Sequence, residues 1–174
     1  MTRGCAPRAG RPWYGQHVQT HLVITAEEYL FYVDTALDGM VEIVCELGDD
    51  LANRRPGIPG ANSPYAILTH CLGVMEYWGG HVVAGRPSDR DRDAEFVATG
   101  AVGDLVERVR QARQRGAQLA TDVAGADPSA PPRNPPMDYE DLATTTQGTV
   151  LVHIYEELAQ HHGQTEMTRR AARR

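Results

Sequence analysis

Residues 152–170 read VHIYEELAQHHGQTEMTRR. In and just before this stretch, Val150, Val152, Ile154, Leu158 and Met167 recur at helical spacing, which predicts a helix from about Gln147 to Arg170. Its basic end suits the negative pole of the helix dipole. Glu157 and His161 are four residues apart and so fall one turn apart on one face. Two donors so placed can chelate a single ion, and a third must come from a neighbouring helix.

Upstream, residues 125–136 (GADPSAPPRNPP) carry five prolines, which remove backbone donors and fix φ, so this segment is a loop or a flap. A third helix is predicted from about Val102 to Ala124, with Leu105, Val106, Val109, Ala112, Leu119 and Val123 as its buried stripe. Residues 85–100 (GRPSDRDRDAEFVATG) are charged and rich in breakers and read as a long connection. Before them, Ser63 caps and Pro64 opens a second helix that runs to about Val83 through Ile67, Leu68, Cys71, Leu72, Val74, Met75 and Trp78. Thr25 and Glu28 form a capping box for a first helix, reaching about Asn53 on Leu30, Val33, Leu37, Met40, Val41, Val44 and Leu47. Four helices and no convincing strand give an all-α four-helix bundle over residues 25–174. Residues 1–24 read as an N-terminal arm, dominated by Gly, Pro and Arg at its start.

Composition narrows the function. The 174 residues hold 17 basic and 23 acidic side chains, a formal charge of −6, against the basic footprint that nucleic-acid binding needs. No stretch approaches the roughly 20 apolar residues that span a bilayer, and no apolar run follows the first basic residues as a secretory signal would require. Three cysteines at wide spacings, Cys5, Cys45 and Cys71, indicate neither a disulfide framework nor a zinc ribbon, and a reducing cytoplasm fits them best.

His70 lies mid-way along the second helix among Leu68, Cys71 and Leu72 and is the natural third donor. Two imidazoles and one carboxylate suit zinc, with a coordination position left open as in catalytic sites. The same set suits iron, and nickel or manganese are compatible with it. On spacing alone, Glu157 and His161 read more often as a surface ion pair than as ligands, and His70 more often as a hydrogen-bonded core histidine. His153 lies one turn before Glu157, either as a partner of the ligands, as pocket wall or as core. His162 points about 100° away from His161, toward solvent or another helix. Tyr77, Trp78 and His81 are candidates for a pocket mouth, or an aromatic core stripe. Arg86, Arg90 and Arg92 either hold a carboxylate of a thiol or substrate or form a solvated charge run.

Residues 152–170, together with SPYAILTHCLGVMEYW at 63–78, resemble the DinB-like superfamily, in particular the branch related to the metal-binding domain of mycothiol-dependent maleylpyruvate isomerase. The resemblance spans roughly residues 25–172. It implies a four-helix bundle whose metal is held by one histidine of the second helix and a Glu and His of the last, at the positions of His70, Glu157 and His161. It further implies a homodimer and a transferase that adds a low-molecular-weight thiol such as mycothiol to an electrophilic small molecule. A thiol-independent hydrolase, lyase or isomerase, and a noncatalytic metal-binding stress protein, are the alternatives.

Overall fold

Thr25 Oγ1 accepts the Glu28 backbone N–H at 3.1 Å while the Glu28 carboxylate accepts the Thr25 N–H at 2.8 Å, so the capping box starts the first helix where the sequence places it. In a computed structural model describing residues 23–114, 116–136 and 145–172, that helix, α1, runs Ala26–Ala52. The expected arm lies outside the described residues apart from Val23 and Ile24. α2 (Pro64–Val74) begins at Ser63, whose hydroxyl accepts the Ala66 N–H at 3.2 Å. Two helices, α4 (Val102–Gln114) and α5 (Gly116–Ala124), cover the predicted third helix on either side of residue 115, and α6 (Gln147–Ala172) closes the chain.

The architecture is an all-α bundle, with no strand among the described residues. α6 packs on α1 on one side and on α2 on the other, and α4 and α5 fill the opposite side of the α1–α2 pair. Leu37, Met40, Ile67, Leu68, Leu105, Ile154 and Leu158 are fully buried between them. The Tyr29 hydroxyl donates to the Leu151 carbonyl at 2.8 Å and ties α1 to α6.

Four features depart from the sequence reading. Val152 and Met167, expected on the inner stripe, are 60% and 67% exposed; Val150, Ile154 and Leu158 face the core as expected, joined by Leu151 and continued by buried Thr165 and Thr168. α1 kinks at Gly48, whose φ of 65° is open to glycine at little cost. Beyond the kink, the Asp49 carboxylate accepts the Val102 N–H at 2.7 Å, so the bend couples the end of α1 to the start of α4.

The second helix does not stay α-helical to Val83. Its turns widen into a π-helix over Met75–Val83, and the wider register persists at its end, where the Ala84 N–H donates to the Gly79 carbonyl at 3.0 Å. A Cβ at Gly79 would stand 2.6 Å from Leu119 Cδ1, and one at Gly80 2.3 Å from Arg86 Nη2, so both glycines admit close neighbours. The proline-rich segment straps this π-helix: the Arg133 and Asn134 N–H groups donate to the Val82 carbonyl at 3.0 and 3.2 Å. The same strap accepts the first N–H groups of α6, Gln147 to the Ala130 carbonyl and Gly148 to the Pro128 carbonyl, which sets where α6 begins.

Finally, the connection at 85–100 contains a short helix, α3 (Arg92–Glu95), capped by Asp91, whose carboxylate accepts the Ala94 N–H at 3.0 Å. α3 packs on α2 and delivers a carboxylate to the middle of the bundle.

Candidate metal centre

α2 and α6 run side by side, so a residue in the middle of one faces the middle of the other. His70 Nε2 stands 3.5 Å from Glu157 Oε2, and His161 Nε2 stands 3.4 Å from the same oxygen. One donor atom from each of His70, Glu157 and His161 falls within a set whose members are no more than 4.8 Å apart. Tetrahedral ligands about 2.1 Å from a zinc ion stand about 3.4 Å from one another, and both imidazole approaches to Glu157 Oε2 are of that length. The imidazole planes of His70 and His161 are nearly perpendicular, with centroids 4.9 Å apart.

The far nitrogens settle which atoms face inward. His70 Nδ1 lies 2.8 Å from Glu95 Oε2, and His161 Nδ1 lies 2.8 Å from Gln164 Oε1. Both partners are acceptors, so each Nδ1 carries a proton and each Nε2 faces Glu157, as an N–H donor when the ring is protonated and as a lone pair when a cation takes that proton's place. Two lone pairs and a carboxylate crowded together repel one another unless a proton or a cation stands between them. Burial works against a charged His70, yet the acceptors Glu157 and Glu95 hold its pKa above the ordinary histidine value. Hydrogen bonds from His161 and His70 hold Glu157 far below the usual carboxylate range.

Sequence reasoning passed over Glu95. It is buried, and Arg90 grips it with Nε at 2.7 Å from Oε1 and Nη2 at 2.8 Å from Oε2. Arg90 also holds the Glu95 pKa down, against the effect of burial. The chain Arg90–Glu95–His70 thus fixes the orientation and tautomer of His70, the arrangement that metal-bound histidines use. A signal for it exists in the sequence: Gly73, one turn after His70 in an otherwise apolar helix, marks a close approach. A Cβ at Gly73 would lie 1.8 Å from Glu95 Oε1. Helix propensity alone would make Gly73→Ala stabilising by about 1 kcal/mol. We expect the reverse, a loss of about 1–3 kcal/mol from overpacking, measured by urea denaturation.

The remaining candidates separate. A cavity of about 120 Å³ opens beside His70 and Glu157, walled by Val74, Trp78 and His153 and flanked by Arg90 and Arg92. Trp78 and His153 meet edge to face, with centroids 4.8 Å apart. Tyr77 is not among the lining residues; its ring meets Trp78 edge to face at 5.2 Å and lies 5.5 Å from the Arg90 guanidinium carbon. His81 is not among the lining residues; it stacks on Tyr77 and donates Nδ1–H to the Arg86 carbonyl at 2.6 Å. The π-helical turns explain this, because they rotate residues past Val74 out of the register that an α-helix would keep with His70. His162 lies against α1, where a Cβ on Gly39 would come within 2.2 Å of its Nε2. Cys71, next to His70, turns away: its sulfur is 3.7 Å from Met40 Sδ, and burial pushes its pKa up, so it is an inert core thiol.

With this geometry in hand, the comparison with known families is decisive: the Mycothiol-S-transferase family matches residues 30–173. The chain belongs to the mycothiol-S-transferase family. The match spans α1 to α6 and includes both helices that carry the three donors. Membership in a mycothiol-S-transferase family, a DinB-like one, supports a thiol S-transferase function and implies a thiol and an electrophile as substrates. No curated protein and no solved structure matches the chain. Among the described residues, no helix is long and apolar enough to cross a membrane.

Proposed function

We propose that this member of the mycothiol-S-transferase family is a metal-dependent enzyme, with His70, Glu157 and His161 as the ligands of one divalent cation and a mycothiol-like thiol as the nucleophile. The observation that supports it most is the common 3.4–3.5 Å approach of two imidazole Nε2 atoms to one carboxylate oxygen, each ring held from behind by an acceptor. Zinc is the best match to two histidines and one carboxylate, ahead of iron, nickel and manganese. A cation there supplies a lowered thiol pKa, and hence a thiolate at neutral pH without a dedicated protein base.

The chain's own residues do the rest. Glu95 and Gln164 keep both Nε2 lone pairs turned inward. Val74, Trp78 and His153 wall the adjoining cavity beside His70 and Glu157. In the transfer, the sulfur–proton bond is lost to solvent, a sulfur–carbon bond forms, and the electron pair of the broken carbon bond leaves with the departing group. We place the reaction in the cytoplasm, where a reduced thiol pool persists. A homodimer is supported by the exposed Phe31, Tyr32, Val152 and Tyr155 on α1 and α6, and light scattering should then give about twice the 19.1 kDa of one chain.

The test is reconstitution. Chelator-treated protein is expected to lose mycothiol transfer to a chromogenic electrophile, and one equivalent of zinc to restore it. Full activity in metal-free protein would refute the metal's role. Metal-dependent consumption of the electrophile without thiol would point instead to a hydrolase, lyase or isomerase.

A further inference from the structure

Of the three arginines in the connection between α2 and α4, two are neutralised within the protein. Arg86 pairs with Asp122, and Arg90 holds Glu95 with two hydrogen bonds. Arg92 makes no ion pair among the described residues. Its guanidinium carbon sits 4.9 Å from the Phe96 ring centroid, and Phe96 stacks on His70 at 4.4 Å. The exposed Arg92 therefore has its stem and plane supported by an aromatic ring, while its charge borders the same cavity as His70 and Glu157.

The charges at this cavity do not cancel. A divalent cation on two neutral histidines and Glu157 leaves one positive charge, which a thiolate sulfur removes. Arg90 is balanced by Glu95. The positive charge that remains is that of Arg92. A guanidinium presents a planar fork that matches a carboxylate with two parallel hydrogen bonds, and a single unbalanced charge suits a carboxylate better than a phosphate dianion.

We propose that the electrophilic substrate bears a carboxylate that docks on Arg92, at the edge of the cavity beside His70 and Glu157. This rests on the thiol-transfer reading and adds to it the substrate class and the residue that selects it.

The test uses the zinc-loaded full chain with mycothiol and a matched pair of electrophiles, 4-(bromomethyl)benzoate and its methyl ester. In both, the sulfur displaces bromide from the benzylic carbon, bromide takes the bonding pair, and the thiol proton goes to buffer. We expect kcat/KM for the carboxylate to exceed that for the ester by about tenfold or more, the scale of a charge-assisted hydrogen-bond pair. In Arg92→Gln the ratio should fall to about one, mainly through KM, and Arg92→Lys should restore only part of it because the fork is lost. Zinc content of each variant, measured alongside, verifies that the centre is intact. Benzoate titrated calorimetrically into zinc-loaded protein gives a readout independent of turnover, with binding expected to weaken by a similar factor in Arg92→Gln. Equal kcat/KM for the two electrophiles in the wild-type chain, or benzoate binding indifferent to Arg92, would overturn the carboxylate assignment. If neither electrophile is consumed, the transferase reading fails, and the benzoate titration still decides for or against the anion site.

Discussion

His161→Ala is expected to lose the bound divalent cation and, with it, thiol transfer down to the uncatalysed rate. The reason is geometric: Glu157 and His161 form the two-donor half of the site on one helix, and removing His161 leaves Glu157 and His70 facing each other across 3.5 Å with no third protein donor. Its consequence for folding is small. His161 is only half-buried, so the metal-free variant should stay within about 0.5 kcal/mol of the metal-free wild type, as substitutions outside the core usually do. Elemental analysis after gel filtration, read beside a thermal melt, separates loss of the centre from loss of the fold. A variant that keeps one equivalent of tightly held metal and normal turnover would show that His161 is no ligand.

Glu95→Ala is expected to have the largest combined effect, on the fold and on the centre together. Arg90 and Glu95 are about nine-tenths buried, with side-chain exposures of 11% and 9%. Removing one partner of a buried pair leaves the other charge without compensation, at a cost of about 3–5 kcal/mol. For a chain of this size that corresponds to a fall of about 6–20 °C in the thermal midpoint. His70 also loses the acceptor for its Nδ1–H, and affinity for the cation should drop about 10–100-fold. Two further variants distinguish these effects. Glu95→Gln keeps an oxygen for His70 but cannot neutralise Arg90, so it should hold the metal better than Glu95→Ala. The double variant Glu95→Ala with Arg90→Ala leaves no charge stranded and should regain part of the stability, yet none of the metal affinity. Competition with a chromogenic zinc chelator reads the affinity, and an affinity unchanged in Glu95→Ala would remove Glu95 from the centre.

The helical bundle and the one-turn interval between Glu157 and His161 were legible because each depends on local periodicity. The capping box at Thr25, the Ser63–Pro64 start and the four-residue interval between Glu157 and His161 require nothing beyond helix geometry. The pairing of His70 with them rested on resemblance, because an apolar stretch around a histidine reads the same for a core residue as for a ligand. What stayed hidden is set by tertiary packing. The π-helical register of Met75–Val83 sets Gly79 and Gly80 against Leu119 and Arg86, contacts made with distant or non-helical residues. Glu95 lay in a stretch whose charges look solvated, and only the folded chain shows one of its arginines turned inward to grip it. The stripe on α6 was misread at Val152 and Met167 because a helix packed on two sides along its length buries a shifting face.

The most direct measurement is zinc-edge X-ray absorption of the loaded protein, before and after addition of mycothiol. The account predicts two imidazole nitrogens at about 2.0–2.1 Å and one carboxylate oxygen at about 2.0–2.2 Å, with a sulfur entering at about 2.3 Å when the thiol is added. A sphere already closed by four protein donors, or one that gains no sulfur, would contradict it.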